Sequence, residues 1–249
     1  MFLVNSQKSF VFNLDKLSKL GRENHDNYVQ AKPFPHIVID NFLALRDANR
    51  VLRAFPHKNS KVWLDWKRRD TIHQPKKQGI GHAFRLEGAS PYLRNMLTSF
   101  NSYPFLTFLE ELTGINKLLP DPYFHGGGLH QILSGGKLAI HTDFNDLREL
   151  DLYRRINVLF FLNKDWKPEY RGYLELRDKD LTCAKSIAPL FNRLVVFNTN
   201  KASFHGHPVP LNTPQNVTRK SLALYYYTAK PLKEDVYNCI TDWQELESD

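Results

Sequence analysis

Between residues 129 and 228 the chain is a succession of short apolar runs separated by turn signals, which commits this region to β-structure. Residues 129–133 and 138–141 flank a Gly135-Gly136 turn. Residues 155–163 are a β-branched and aromatic run that reads as a buried strand, and Asn163-Lys164-Asp165-Trp166 turns the chain after it. Tyr173-Leu174-Glu175-Leu176 alternates polar and apolar as a half-buried strand does. Residues 193–197 and 218–228 complete the set. Ahead of it, Leu45, Ala48, Val51, Leu52 and Phe55 recur at helical spacing. Ser90-Pro91 opens a second helix to about residue 100, with Ser90 as N-cap, and Pro104 opens a third that stops at Gly114. The expected class is α+β, mainly β, with the helices on one outer face of the strands.

No repeat and no composition break divides the 249 residues, and apolar and aromatic fractions of 42% and 13% suffice for a substantial core. One domain over 1–249 is expected. It would hold a strand and helical support layer (1–120), a β core (121–230) and an acidic C-terminal tail or helix (231–249).

His141-Thr142-Asp143 stands at the end of one predicted strand, and His205 lies about sixty residues further on. Residues i and i+2 of a strand share a face. Two imidazoles and one carboxylate, with open positions opposite, are the facial set of non-haem Fe(II) oxygenases. His205 and His207 are also two apart, so either can be the third ligand; His205 is preferred, and His207, before Pro208, is assigned to the mouth. On the last strand Arg219, Ser221, Ala223 and Tyr225 share a face. An inward guanidinium needs an anionic partner. A dicarboxylate chelating the metal at one end could meet Arg219 and a neighbouring hydroxyl at the other.

The phrases GGKLAIHTDFN, RRINVLFFLNKDW, YLELRD, RLVVFNTNKASFHGHPVP and TRKSLALYYYT resemble the catalytic core of the 2-oxoglutarate- and Fe(II)-dependent dioxygenases, in the prolyl 4-hydroxylase-like branch. Residues 33–43 resemble the first strand of that branch. The resemblance implies a double-stranded β-helix, a cupin-like jelly roll. It implies Fe(II) on His141, Asp143 and His205, the 2-oxoglutarate C5 carboxylate on Arg219, O2 as second co-substrate, and ascorbate as a candidate stimulant. Two departures stand out. Many relatives carry a Tyr hydroxyl where this chain has Phe160 and Phe161, so Gln131 or Ser221 is expected to supply the second hydrogen bond to the co-substrate. Asn157 is a further candidate contact. Arg171-Gly172 stands where relatives often have Gly-Gly, which is expected to reshape that loop and could place a cation near the mouth.

The implied activity is hydroxylation of an aliphatic C–H in a small, anionic molecule, with 2-oxoglutarate and O2 converted to succinate and CO2. Peptidyl-prolyl 4-hydroxylation of a protein is the alternative. Asp143 argues against a halogenase, which lacks that carboxylate. A nucleic-acid-modifying dioxygenase and a non-catalytic cupin-like binding module are less favoured. The formal net charge of +8 does raise the nucleic-acid reading. Lys58, Lys61, Lys67, Arg68, Arg69, Lys76, Lys77 and Arg85 face only Asp65 and Asp70, with Trp63, Trp66 and Phe84 interleaved. That segment reads as a solvated face or a substrate loop near the mouth. Arg148, Arg154 and Arg155 are expected in solvent, with one of them a candidate substrate contact, His125 on a flexible or substrate-facing loop, His130 packed or behind the ligands, Tyr225 to Tyr227 as strand and core, and Asn145 and Asp146 as turn formers. Cys183 and Cys239 read as reduced thiols. No signal peptide and no membrane span is read, so the expected compartment is the cytoplasm. The oligomeric state is left open.

Overall fold

Two antiparallel sheets face each other in the computed structural model, which describes residues 11–65, 72–81, 86, 88–231 and 241–244. The larger sheet contains β1 (His36–Ile39), β2 (Leu64–Asp65), β3 (Lys77–Ile80), β4 (Leu119–Pro120) and β5 (Gly128–Ile132). It also contains β7 (Asp146–Leu147), β8 (Leu152–Phe161), β11 (Arg193–Asn198) and β13 (Arg219–Thr228). Its strand order is β1-β11-β8-β13-β5-β3-β2, with β4 on β13 and β7 on β8. The smaller sheet contains β6 (Leu138–Thr142), β9 (Leu174–Arg177), β10 (Cys183–Ile187), β12 (Phe204–His207) and β14 (Asp242–Trp243), in the order β10-β9-β12-β6-β14. This is the expected double-stranded β-helix, built as two facing sheets and not as a closed barrel.

The alternation of β8 explains why the layers stack as they do. Ile156, Val158 and Phe160 point outward into the cluster shared with the helices. Phe161 belongs to the cluster between the sheets, and Asn157 and Leu159 line a cavity there. A one-residue slip would exchange these two sets, so register is tightly fixed. The helices are α1 (Leu14–Val29), α2 (Leu45–Ala54), α3 (Pro91–Phe100) and α4 (Tyr103–Thr113). The last three lie where the sequence puts them. Gly114 caps α4 in the left-handed conformation at φ 73°, as a C-terminal glycine does. The Ser90 side chain, by contrast, makes no capping bond. They cover the outer face of the large sheet through a Phe12, Phe42, Phe100, Phe105, Phe108 and Phe160 cluster with edge and tilted ring contacts. Each fully buried ring of this kind contributes about 1.5–3 kcal/mol.

Helix α1 is not foreseen from the sequence. Asn13 caps it by accepting from the Lys16 backbone N–H at 2.9 Å, and Tyr28 donates its hydroxyl to Asn198 Oδ1 at 2.6 Å, tying the helix to the end of β11. The C-terminal segment is also corrected. Residues 242–243 are an edge strand on β6, with Asp242 opposite Thr142 and Trp243 opposite His141. The rest of the expected acidic tail or helix, 232–240 and 245–249, lies outside the described residues. Cys183 is exposed and free, while Cys239 lies outside the described residues. Trp66, Lys67, Arg68, Arg69, Asp70, Phe84 and Arg85 of the basic segment lie outside them too. Among the described residues no helix is long and apolar enough to cross a membrane.

Asn192 clamps the N-terminal layer to the core. Its side chain accepts from the Leu43 N–H at 2.9 Å and donates to the Leu43 carbonyl at 2.8 Å, in a buried setting. Asn192→Ala strands both backbone groups, and urea denaturation should show a loss of about 3 kcal/mol. A midpoint within error of wild type would mean that this clamp adds nothing.

Candidate active site

His141 and His205 are direct partners across the β6–β12 pair. Asp143 follows β6 by one residue, and the three offer ligand atoms that all lie within 4.8 Å of one another. His141 Nε2 is 3.6 Å from Asp143 Oδ1, and His205 Nε2 is 3.2 Å from Oδ2. Each imidazole uses its Nδ1 on the carbonyl two residues back, Ala139 and Ser203, both at 2.9 Å. A ring that donates from Nδ1 presents a bare Nε2, so both lone pairs converge on the carboxylate side. Two neutral imidazoles and a carboxylate are the donor set for a borderline divalent cation such as Fe(II).

The carboxylate is held from behind. Asp143 Oδ2 accepts from Arg154 Nη2 at 3.0 Å and from Asn157 Nδ2 at 2.6 Å, while Asn157 Oδ1 accepts from Arg154 Nε at 2.8 Å. Burial pushes the Asp143 carboxyl up, but Arg154 and the two imidazoles outweigh it and hold the group well below the usual carboxylate range. Burial and the neighbouring His205 push the His141 imidazole down, with Asp143 pulling partly back. Arg154 is wholly buried, with its guanidinium 3.4 Å from the Tyr225 ring centroid and 4.7 Å from that of Phe144. The expectation that Arg154 and Arg155 are solvated is therefore corrected. Arg155 is buried as well, donating to Thr228 Oγ1 at 2.9 Å. Arg154 is charged by nature, and only the carboxylate at 143 makes its burial tolerable.

These groups open on a cavity of about 260 Å³ between the sheets. Arg219, Ser221, Ala223 and Tyr225 all line it, the face expected of β13. Arg219 donates from Nε to the Gly172 carbonyl at 2.7 Å and lies 4.8 Å over the Phe161 ring. Gly172 is required there: its φ is +67°, and a Cβ would meet Leu211 Cδ2 at 2.2 Å and Arg219 Cδ at 3.3 Å. Among the described residues no carboxylate pairs with Arg219, and burial alone pushes its pKa down to about 9. Arg171 is exposed, so the loop change noted in the sequence acts through Gly172 and its carbonyl.

Three readings change. Gln131 faces the opposite side of β5, donating to Gln78 Oε1 at 2.7 Å and accepting from Thr218 Oγ1 at 3.0 Å; strand alternation turns His130 inward in its place. His207 is not at the mouth. It is 2% exposed, lines the cavity, and burial together with Arg219 and Lys77 pushes its pKa well down. Asn157 lines the cavity, but its amide is spent on Asp143 and Arg154. Sequence reasoning named Lys77 only within the basic segment near the mouth, and it missed Trp243. Lys77 lines the cavity from β3 and donates to Gln74 Oε1 at 2.7 Å. Trp243 stacks on His73 at 4.7 Å and 12°, and sits 4.7 Å from the His141 ring. Neither has a local sequence signal, since both depend on long-range pairing.

Residues 127–227 match the sequence model of the 2OG-Fe(II) oxygenase superfamily. A 2OG-Fe(II) oxygenase domain thus covers residues 127–227. The cofactors of such a domain are Fe(II) and 2-oxoglutarate, with O2 as the other co-substrate, the His141, Asp143 and His205 cluster fits the metal, and the fold is that of solved prolyl hydroxylases. Among solved structures, a prolyl hydroxylase from Trichoplax adhaerens in complex with a hypoxia inducible factor peptide is 18% identical, with a TM-score of 0.62 over 86% of this chain and 91% of that one. A Pseudomonas putida prolyl-4-hydroxylase is 18% identical, with a TM-score of 0.51 over 85% of this chain and 98% of that one. HygX from Streptomyces hygroscopicus, with nickel, 2-oxoglutarate and hygromycin B bound, is 12% identical, with a TM-score of 0.54 over 83% and 87% of the two chains.

Arg154→Met removes the charge behind Asp143. Divalent-metal affinity, measured by Mn(II) titration, should fall roughly 10- to 100-fold, as for other groups that orient a ligand. An unchanged affinity would limit Arg154 to a packing role.

Proposed function

We propose that the single domain 1–249 hydroxylates an aliphatic C–H of a small, anionic molecule, with Fe(II) held by His141, Asp143 and His205 and the distal carboxylate of 2-oxoglutarate held by Arg219 and Ser221. The observation that carries the residue assignment is the buried Arg219. It has no carboxylate partner among the described residues and shares one cavity with the His-Asp-His cluster. Two donor-bearing ends of one cavity suit a ligand that chelates at one end and is anionic at the other.

Bound Fe(II) with 2-oxoglutarate and O2 supplies an oxidation that yields succinate, CO2 and a hydroxylated substrate. The chain's own residues do the rest. His141 and His205 are pinned by their Nδ1 bonds, so they need no reorganisation on binding metal. Arg154 and Asn157 keep the Asp143 carboxylate ionised and oriented. Leu159, Leu174 and Phe197 wall the cavity with apolar surface and keep water from competing there. The Ser221 hydroxyl lies on the same face as Arg219, one step along β13.

A second reading, prolyl 4-hydroxylation of a peptide, is favoured by the likeness to the Trichoplax enzyme. A shallow hollow lined by His125, Leu147 and Arg148 adjoins the cavity at Gly126 and Phe144, and offers an extended ligand room beyond the metal site. Succinate release measured against panels of small anions and of prolyl peptides separates the two. Stimulation by peptides alone would replace the small-molecule reading.

The residue assignments are tested by anaerobic titration with Fe(II) and 2-oxoglutarate, followed by O2 and a succinate assay. Wild type should develop the weak visible band of the chelate. His141→Ala, Asp143→Ala and His205→Ala should each lose metal. Arg219→Ala should keep metal and lose about 100-fold in 2-oxoglutarate affinity. Equal loss of metal and 2-oxoglutarate in Arg219→Ala would make that residue structural.

A further inference from the structure

His207 is the buried polar side chain that the site as described leaves unused. Among the described residues neither of its ring nitrogens has a hydrogen-bond partner, although the residue is 98% buried and lines the cavity. A buried, unpaired imidazole is expensive, and native proteins keep one where a ligand completes it.

Its position relative to the other groups follows from strand register. His205 and His207 lie on the same strand, and two residues of strand advance roughly 6.6 Å. Both line the cavity because residues two apart on a strand share a face, and the irregularity of the pairing lies on β6, where His205 faces His141 and His207 faces Leu138. The strand between them must be glycine: a Cβ on Gly206 would lie 2.6 Å from the Ala139 carbonyl oxygen and 2.8 Å from that of Leu138. On the facing sheet, Lys77, Ile132 and Arg219 are consecutive partners across β3, β5 and β13, so the two cations flank one position. Gly79, His130 and Ser221 form the next row, and His130 is already engaged by the backbone of Gly126 and Gly127. The cavity thus has a metal-ligand end at His141, Asp143 and His205. One strand step away it has a donor end at Arg219, Lys77 and His207.

We propose that His207 is the residue that recognises the distal carboxylate of the 2-oxo acid, donating one ring N–H to a carboxylate oxygen beside Arg219, with Lys77 as the second cation of that subsite. This rests on the functional reading above, in which Arg219 binds that carboxylate. It adds His207, alongside Ser221, to the part for which the sequence offered Gln131 or Ser221, where many relatives carry a tyrosine hydroxyl and this chain carries Phe160 and Phe161. Gln131 is turned away and bonded elsewhere. Ser221 remains a neighbour on the Arg219 face. In either tautomer a neutral imidazole has one N–H to give and one lone pair left for a water or for the substrate.

The test is calorimetric titration of the Mn(II)-loaded protein, without O2, using 2-oxoglutarate and 2-oxopentanoate. The second compound keeps the chelating end and replaces the distal carboxylate with a methyl group. Wild type should prefer 2-oxoglutarate strongly. His207→Phe should lose about 10-fold or more in 2-oxoglutarate affinity, the scale of one hydrogen bond to a charged group, while 2-oxopentanoate and Mn(II) affinities stay within about twofold. His207→Gln, which keeps a donor, should recover most of the loss. Lys77→Met should narrow the preference in the same direction, and keeps the test alive if His207→Phe fails to fold.

An unchanged preference in His207→Phe, with Arg219→Ala collapsing it, would overturn the role of His207 and leave Arg219 standing. An unchanged preference in Arg219→Ala would instead sink the underlying assignment of the subsite. Loss of Mn(II) in the His207 variants would make that residue a metal ligand and overturn the proposal.

Discussion

A fully buried arginine facing a single carboxylate governs the arrangement of this protein's interior. Arg154 sits on the central strand β8 with no route to solvent, and Asp143 is the charge that compensates it. Breaking a pair of this kind leaves an uncompensated ion in a low-dielectric interior. The pair therefore fixes Asp143 beside His141 and His205 before any metal arrives. Asn157 bonds to both members and locks their relative orientation. The two sheets are joined at this point, since β8 belongs to one and β6 leads into Asp143 from the other.

Much of this was legible in the sequence, and the parts that were legible share a cause. The strands from β5 to β13 announce themselves by side-chain alternation and turn residues, which are local properties. His141, Asp143 and His205 were found because i, i+2 spacing on a strand is a local rule. The inward face of β13 followed from the same rule. Three helices were marked by proline, glycine and apolar spacing.

What escaped was set by distant partners. Helix α1 carries a modest apolar stripe and is stabilised by docking on α4, so its composition gave little warning. Arg154 read as solvated because arginine almost always is; only the position of Asp143 across the sheet makes its burial possible. His207 was assigned to the mouth on the strength of the proline after it. Strand β12 runs on through His207, so alternation from His205 keeps it on the inward face. Gln131 and His130 were known to face opposite ways, but alternation cannot say which side is in. The answer comes from the partners of β5 on both sides.

Trp243 belongs to a strand of two residues at the edge of the smaller sheet, yet it packs on the ring of His141. The segment it pairs with lies about a hundred residues earlier in the chain. That contact closes a long loop, and long-range closures are the slow ones. The wall over the metal-ligand end is therefore the last part of the cavity that synthesis can deliver. Until it docks, the ligands form one side of an open trough rather than the floor of a pocket, so the maturation of the chain and the accessibility of its reactive centre run on the same clock.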